Sequence, residues 1–113
     1  MEDSEIIGLY HSRSEEALSQ TAQKYGGYCR SIAWNILGNV LDAEETLNDT
    51  WLAAWNSIPP QKPTVLRLFL GKITRNLALD RYAYRKAEKR LDNTALVYEE
   101  PKPAGSLWRR LMG

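Results

Sequence analysis

Cysteine, histidine and long apolar runs are scarce in this 113-residue sequence. The single cysteine, Cys29, cannot form an intrachain disulfide, and the single histidine, His11, has no cysteine near it for metal binding. We therefore expect no metal site, no cofactor and no catalytic dyad, and predict that Cys29 is a small buried hydrophobic residue. No glycine-rich phosphate loop is present either, so an enzyme is the least favoured class.

The sequence also lacks the features of a secreted or membrane-spanning protein. Its first five residues are mostly acidic, and no run approaches the roughly 18 apolar residues of a transmembrane helix. We expect a cytoplasmic protein. The length suits a single domain, and contents of 43% hydrophobic and 10% aromatic residues indicate a folded core.

Charge is distributed unevenly, although the net charge is only +1. Residues 1–66 carry four basic and nine acidic side chains, whereas residues 67–90 carry eight basic and two acidic ones. The remaining residues are balanced, with three of each sign. An acidic body with one basic segment indicates two kinds of partner, one of them polyanionic.

Helical spacing of apolar residues dominates the chain, and alternating strand patterns are absent. The prediction is an all-α fold, a compact bundle of about four helices. Capping residues, glycines and prolines set their ends. The predicted helices span Asp3–His11, then Ser12 or Ser14 to Leu37 with no break at Gly26–Gly27, then Asp42–Ile58, and finally Pro63 or Thr64 to Arg90.

The fourth predicted helix has a basic face. Lys and Arg neutralise phosphates, Asn reads base edges and Tyr stacks on unpaired bases, so this face favours nucleic-acid contact. The alternative is an ordinary solvated helix face, but acidic residues are nearly absent from this segment. The face comprises Lys72, Arg75, Leu79, Tyr82, Lys86 and Arg90, flanked by Asn76, Arg81, Arg85 and Lys89.

The third predicted helix has an acidic and polar side, and two tryptophans, Trp51 and Trp55, lie one turn apart on it. Two interpretations stay open at this point. The helix is either a core helix with a charged solvent side or a docking face for a basic protein. The acidic and polar residues are Asp42, Glu44, Glu45, Asn48 and Asp49.

Three blocks of sequence, in this order and spacing, resemble region two of bacterial sigma factors of the extracytoplasmic-function (ECF) group. They are Ala33–Asn39 (AWNILGN), Asp42–Trp55 (DAEETLNDTWLAAW) and Phe69–Tyr82 (FLGKITRNLALDRY). The resemblance covers about residues 10–90. It implies a non-catalytic helical bundle that binds core RNA polymerase and recognises the minus-ten promoter element during transcription initiation.

The resemblance also implies where polymerase binds. The helix that matches Asp42–Ile58 docks on the clamp helices of the largest polymerase subunit. The polymerase contacts expected from this likeness are Leu47, Asp49, Thr50 and Trp51.

Promoter contacts are implied farther along the chain. The loop that matches Pro59–Leu66 and the helix after it capture flipped bases of the non-template strand of the minus-ten element. Asp80 is expected to order neighbouring arginines rather than to touch anionic DNA. With Lys72 and Tyr82 of the basic face, the DNA-binding candidates are Lys72, Arg75, Asn76, Asp80, Arg81, Tyr82, Arg85 and Lys86.

The sequence departs from the family pattern in two places. Nothing after Arg90 resembles the second domain that reads the minus-thirty-five element, so the chain is either a piece of a longer protein or a natural short form. We assign residues 1–92 to the region-two domain and residues 93–113 to a linker or tail, with a short terminal helix as an alternative. Ala83 stands where the family often carries another basic residue.

A protein-interaction module is the competing interpretation. In it, the acidic third helix binds a protein partner such as an anti-sigma factor, and the basic helix is a solvated face. Retention of promoter-derived single strand over scrambled strand would separate the two.

Overall fold

The computed structural model describes the backbone of residues 1–94 and the side chains of residues 1–89. Within that part of the chain there are four α-helices and no strand, which confirms the all-α prediction. No helix in it is long and apolar enough to cross a membrane. The predicted tail lies outside the described residues except for its first two, which belong to the last helix. The helices are α1 (Asp3–His11), α2 (Glu16–Leu37), α3 (Val40–Ser57) and α4 (Leu66–Thr94).

The first two helices follow the sequence pattern closely. α1 has the predicted bounds, and α2 continues through Gly26–Gly27 without a break. Gly38 ends α2 in the left-handed region at φ 62°, where glycine is favoured because it has no side chain. The predicted start of α2 at Ser12 or Ser14 was wrong. Ser14 lies in the preceding turn, and its carbonyl accepts a hydrogen bond from the Ala17 amide at 3.0 Å.

α3 begins two residues earlier than predicted. The side chain of Asn39 accepts a hydrogen bond from the Asp42 amide at 3.0 Å, so Asn39 is the capping residue. Asp42 therefore lies in the first turn instead of capping it. A carboxylate is favoured both at the cap and in the first turn, because both positions lie at the positive end of the helix. For this reason the sequence pattern placed the start of the helix at Asp42.

α4 is shifted toward the C-terminus relative to its predicted span. Its first helical hydrogen bond runs from the Phe69 amide to the Val65 carbonyl, so residues 63–65 precede the helix. The helix continues past Arg90 to Thr94. Residues 85–91 are all strong helix formers, and no glycine or proline occurs in residues 85–94 to stop the helix.

α2 lies at the centre of the bundle and packs against all three other helices. Apolar residues at helical spacing line one side of α4, where Leu66, Leu70, Ile73 and Leu77 are buried and Phe69 is half-buried. Cys29 of α2 is buried as predicted. The core therefore fixes the rotation of α4 and leaves its opposite face in solvent.

Tyr28 of α2 lies against α4 at a point where that helix has no side chain. A Cβ atom at Gly71 would come within 2.7 Å of the Tyr28 hydroxyl oxygen, so glycine permits the close approach. The guanidinium of Arg67 also stacks on Tyr28, 4.1 Å from the centre of its ring. This stacking holds Arg67 beside α2 rather than on the outer face of α4.

Arg13, between α1 and α2, holds the end of α3. Its guanidinium donates hydrogen bonds to the carbonyls of Trp55, at 2.8 Å, and Ile58, at 3.0 Å. It also lies 3.7 Å from the centre of the Trp55 ring. The last carbonyls of a helix need donors from outside, and a cation there also complements the helix dipole.

We expect Arg13→Ala to lower the free energy of unfolding by about 1–2 kcal/mol, because charge-assisted bonds and a cation–π contact are lost together. Urea denaturation measures this change. Arg30→Ala is the control, since Arg30 forms only an exposed ion pair with Glu44, and exposed changes usually stay within about 0.5 kcal/mol. Equal effects of the two changes would contradict the assigned role.

Candidate functional site

α3 and α4 meet along a seam of small buried side chains. Ala53 of α3 packs against Ile73 and Leu77 of α4, and Ala53 and Ala78 are each 0% exposed. The hydroxyls of Thr50 and Thr74 are 3.0 Å apart, within hydrogen-bond distance across the seam, and each also lies within hydrogen-bond distance of a carbonyl oxygen of its own helix. The seam sets the position of α4 relative to α3, so surfaces on the two helices lie side by side.

Ion pairs bridge the same two helices next to the seam. The guanidinium of Arg81 contacts Glu45 Oε2 at 2.7 Å and Asp49 Oδ2 at 3.1 Å. One turn on, Arg85 contacts Oδ1 of the buried Asp42 at 2.6 Å. Two of the predicted DNA-binding arginines thus lie against acidic residues of α3, one of which, Asp49, was predicted to contact polymerase.

The outer face of α4 is exposed as its sequence spacing predicted. Lys72, Arg75 and Lys86 are exposed, and with them Tyr82 at 50% and Leu79 at 43%. Among side chains that the structure describes, these three cations form no ion pair, and neither does Lys89. The result is a row of available cations with a half-exposed aromatic ring among them.

A groove of about 550 Å³ lies where this row passes the turn between α2 and α3. It contains the half-exposed Tyr82 ring and three cations, against one buried carboxylate that is already paired with Arg85. A groove of this charge, with an aromatic wall, suits a nucleotide. Its lining residues are Leu37, Gly38, Asn39, Asp42, Tyr82, Arg85, Lys86 and Lys89.

Three of the predicted DNA-binding residues are not exposed, and one of them is Arg81, the arginine that is paired with Glu45 and Asp49. Asp80 is only 9% exposed and interacts with another group. Asn76 is half-buried. These three side chains are therefore less accessible to a ligand at the outer face than the exposed Lys72, Arg75 and Lys86.

The loop between α3 and α4 places apolar side chains next to the basic row. Val65 is 47% exposed and Leu68, in the first turn of α4, is 61% exposed. Leu66, between them, is fully buried and anchors the end of the loop. Exposed apolar groups beside cations provide a surface for the face of an unpaired base.

The predicted polymerase contacts on α3 divide into two pairs. Leu47 is 3% exposed and Thr50 is 0% exposed, so both belong to the core. Asp49 and Trp51 are partly exposed and accessible to a partner. Leu47 and Thr50 therefore lie on the side of α3 that packs against the core.

The structure adds two leucines, Leu41 and Leu52, to the polar α3 surface that the sequence predicted. A stripe with helical spacing faces solvent along α3, and its leucines are 75% exposed at position 41 and 56% at position 52. Exposed leucines that alternate with an acid and an amide are typical of a protein-docking face. Residues three and four apart share a helix face, so their spacing would have identified this stripe if the buried side of α3 had been known. Its members are Leu41, Glu45, Asn48 and Leu52.

The described residues hold no group of three or more His, Cys, Asp or Glu side chains placed to bind a metal ion. The one thiol is not an activated nucleophile, because burial raises the pKa of Cys29, an effect that a hydrogen bond with Thr74 only partly offsets. What the geometry provides is two adjacent surfaces, one acidic and partly apolar on α3 and one basic on α4.

Comparison with known families identifies the fold. The family model for sigma-70 region 2 matches residues 21–89, which is more than half of the chain and includes α3, most of α2 and α4 up to Lys89. No curated protein and no solved structure matches the chain. The chain therefore belongs to the sigma-70 region 2 family, whose members bind RNA polymerase and take part in promoter opening during transcription initiation.

Proposed function

We propose that this chain is a cytoplasmic, non-catalytic region-two domain of an ECF-type sigma factor. It docks on the clamp helices of the largest polymerase subunit through the exposed face of α3. It then holds the non-template strand of the minus-ten element along the outer face of α4. The observation that carries the proposal is the close juxtaposition of a docking face and a basic face across the α3–α4 seam.

The docking face is formed by Asp49 and Trp51 together with the solvent-facing stripe of α3. Its carboxylates attract a cationic partner surface, and its exposed leucines supply apolar area for the interior of an interface. Leu41 is the most exposed large apolar side chain of α3, and Val40 and Leu52 follow at 62% and 56%. This composition supports a protein partner for α3, because a polyanion would be repelled by the acids.

The basic face acts on the strand by holding it. Lys72, Arg75 and Lys86 bind phosphates, and the Tyr82 ring stacks on an unpaired base. Stacking is worth about 1–3 kcal/mol per base, which offsets only part of the free energy needed to unpair a duplex. Polymerase must supply the remainder, so the affinity of the free chain for duplex DNA should be weak.

A selection experiment tests the proposal as a whole. The chain is bound to bacterial core RNA polymerase, and a random pool of single-stranded DNA is enriched on the complex and on polymerase alone. We expect a short sequence block to be enriched only when the chain is present. Enrichment that is the same with and without the chain would refute strand recognition, and the chain would then be a protein-interaction module whose partner, such as an anti-sigma factor, binds α3.

Lys86→Ala should weaken strand binding for all sequences and lower the slope of log affinity against log salt by about 0.7, because one phosphate contact is lost. Fluorescence anisotropy of the polymerase-bound chain with labelled single-stranded DNA measures both quantities. Lys24→Ala is the matched control, since Lys24 is an exposed lysine paired with Asp3 on the far side of the bundle. An unchanged slope in the Lys86 variant would remove this residue from the binding face.

A further inference from the structure

The six cations of α4 from Lys72 to Lys89 fall into two groups. Lys72, Arg75, Lys86 and Lys89 make no ion pair with any side chain of residues 1–89, whereas Arg81 and Arg85 are both paired with acids of α3. The two paired arginines share one side of the helix, next to the α3–α4 seam. Of these six charges, two are paired with carboxylates and four are not.

Arg81 is held more completely than Arg85. Its side chain is 16% exposed, and its two terminal nitrogens donate to two different carboxylates. Arginine binds a phosphate through the same pair of N–H groups. The carboxylates of Glu45 and Asp49 and the phosphate of a strand therefore compete for one edge of the guanidinium. We call Arg81, Glu45 and Asp49 the Arg81 clasp.

The acids of the clasp are accessible although the arginine is not. The side chains of Glu45 and Asp49 are 60% and 44% exposed, and both lie on or beside the docking face of α3. A cationic partner can therefore contact these carboxylates directly from solvent. Ion pairs at exposed carboxylates are weak, so such a partner can replace Arg81 as their counter-ion.

We propose that Glu45 and Asp49 withhold Arg81 from nucleic acid in the free protein, and that a cationic polymerase surface docking on α3 releases it to a strand phosphate. This inference rests on the proposed docking of α3. It makes Glu45 and Asp49 positioning residues for strand binding. By thermodynamic linkage, docking and strand binding then strengthen each other by the same factor.

The first test uses the full chain without polymerase. The affinity for a labelled random-sequence single-stranded DNA is measured across salt concentrations for the wild type and for the double variant E45Q/D49N. We expect the double variant to bind about 3–10-fold more tightly, with a salt slope larger by about 0.7, because one more cation reaches the strand. E15Q/E16Q is the control, since it removes two exposed carboxylates from the start of α2 and should change the slope little.

The variant R81Q identifies the cation responsible. In an R81Q background, E45Q/D49N should give no gain beyond that of the control variant. A gain that persists without Arg81 would overturn the inference, because the effect would then be one of overall charge. No gain in the double variant itself would overturn it equally. Thermal melts by circular dichroism establish that each variant is folded.

The second test concerns release. With core polymerase at saturation, R81Q should lower strand affinity about 3–10-fold relative to the wild type, whereas in the free chain it should lower it less than about twofold. Equal losses in the two states would overturn the release step. Lys86→Ala, measured in parallel, separates this failure from failure of the proposed function. If that variant also has no effect, the basic face itself does not bind the strand.

Discussion

Asp49→Arg is expected to abolish retention of the chain on core RNA polymerase. Asp49 is a half-exposed carboxylate on α3 and lies 3.1 Å from Arg81. The new arginine would repel a cationic partner and also Arg81. Like charges set against each other in an interface cost several kcal/mol, which corresponds to a loss of about 100-fold or more in affinity. A pull-down with immobilised polymerase measures it.

The control for this prediction lies on the same helix. Glu44→Arg reverses the same charge, but Glu44 is paired with Arg30 of α2 and lies on the side of α3 that faces α2. We expect this variant to be retained by polymerase. Asp49→Asn, which keeps the shape of the side chain, should give a smaller loss than Asp49→Arg. Full retention of a folded Asp49→Arg variant would remove Asp49 from the docking face.

The outer face of α4 could be predicted because it depends on one helix alone. Residues three and four apart share a face, so the sequence placed Lys72, Arg75, Tyr82 and Lys86 together, and they are exposed together. The burial of Leu70 and Ile73 on the opposite side follows from the same periodicity. A long amphipathic helix with one apolar stripe has a single stable orientation against a core.

The Arg81 clasp could not be predicted in this way. Arg81 and Asp49 are 32 residues apart in sequence, and their contact depends on how closely and at what position α3 and α4 pack. That packing comes from small residues, Ala53 and Ala78, which carry little periodic signal. The spacing within α4 therefore predicted which side of the helix carries cations, but it could not predict which carboxylates of α3 pair with them.

α3 was harder to orient than α4, although each of them packs against two other helices. Its contacts with α2 and α4 bury a broad face, which includes threonines as well as apolar residues. Thr50 looks like a surface residue in sequence, yet it is 0% exposed and bonded within the seam. Leu41 and Leu52 look like core residues and are exposed. A threonine hydroxyl that bonds to a carbonyl of its own helix can be buried at little cost in free energy. On α3, polar threonines are therefore buried while two leucines are exposed, the reverse of the usual distribution.

Tyr10→Ala is expected to have the largest effect on stability. Tyr10 belongs to α1, which precedes the segment that matches the sigma-70 region 2 family, yet it is among the largest fully buried side chains. Its hydroxyl lies 2.7 Å from Thr21 Oγ1, and its ring packs near Trp55 with 6.3 Å between ring centres. It therefore joins α1 to both α2 and α3.

Removing a buried aromatic ring costs about 3–5 kcal/mol. Single domains are stable by only about 5–15 kcal/mol, so the variant should be close to unfolding at room temperature. Tyr10→Phe keeps the ring and loses one hydrogen bond, with an expected cost of about 1 kcal/mol. Urea denaturation followed by circular dichroism gives both values, and an unchanged slope with denaturant would show that only stability has changed.

The contrast between the two variants decides what α1 does. If Tyr10→Ala costs no more than Tyr10→Phe, α1 is an appendage and residues 21–89 form the folding unit alone. If the difference is several kcal/mol, α1 completes the core against which α3 is packed. The buried side chain of Ile6, on the same face of α1 and also 0% exposed, favours the second outcome. The docking face and the Arg81 clasp would then depend on a helix that lies outside the family match.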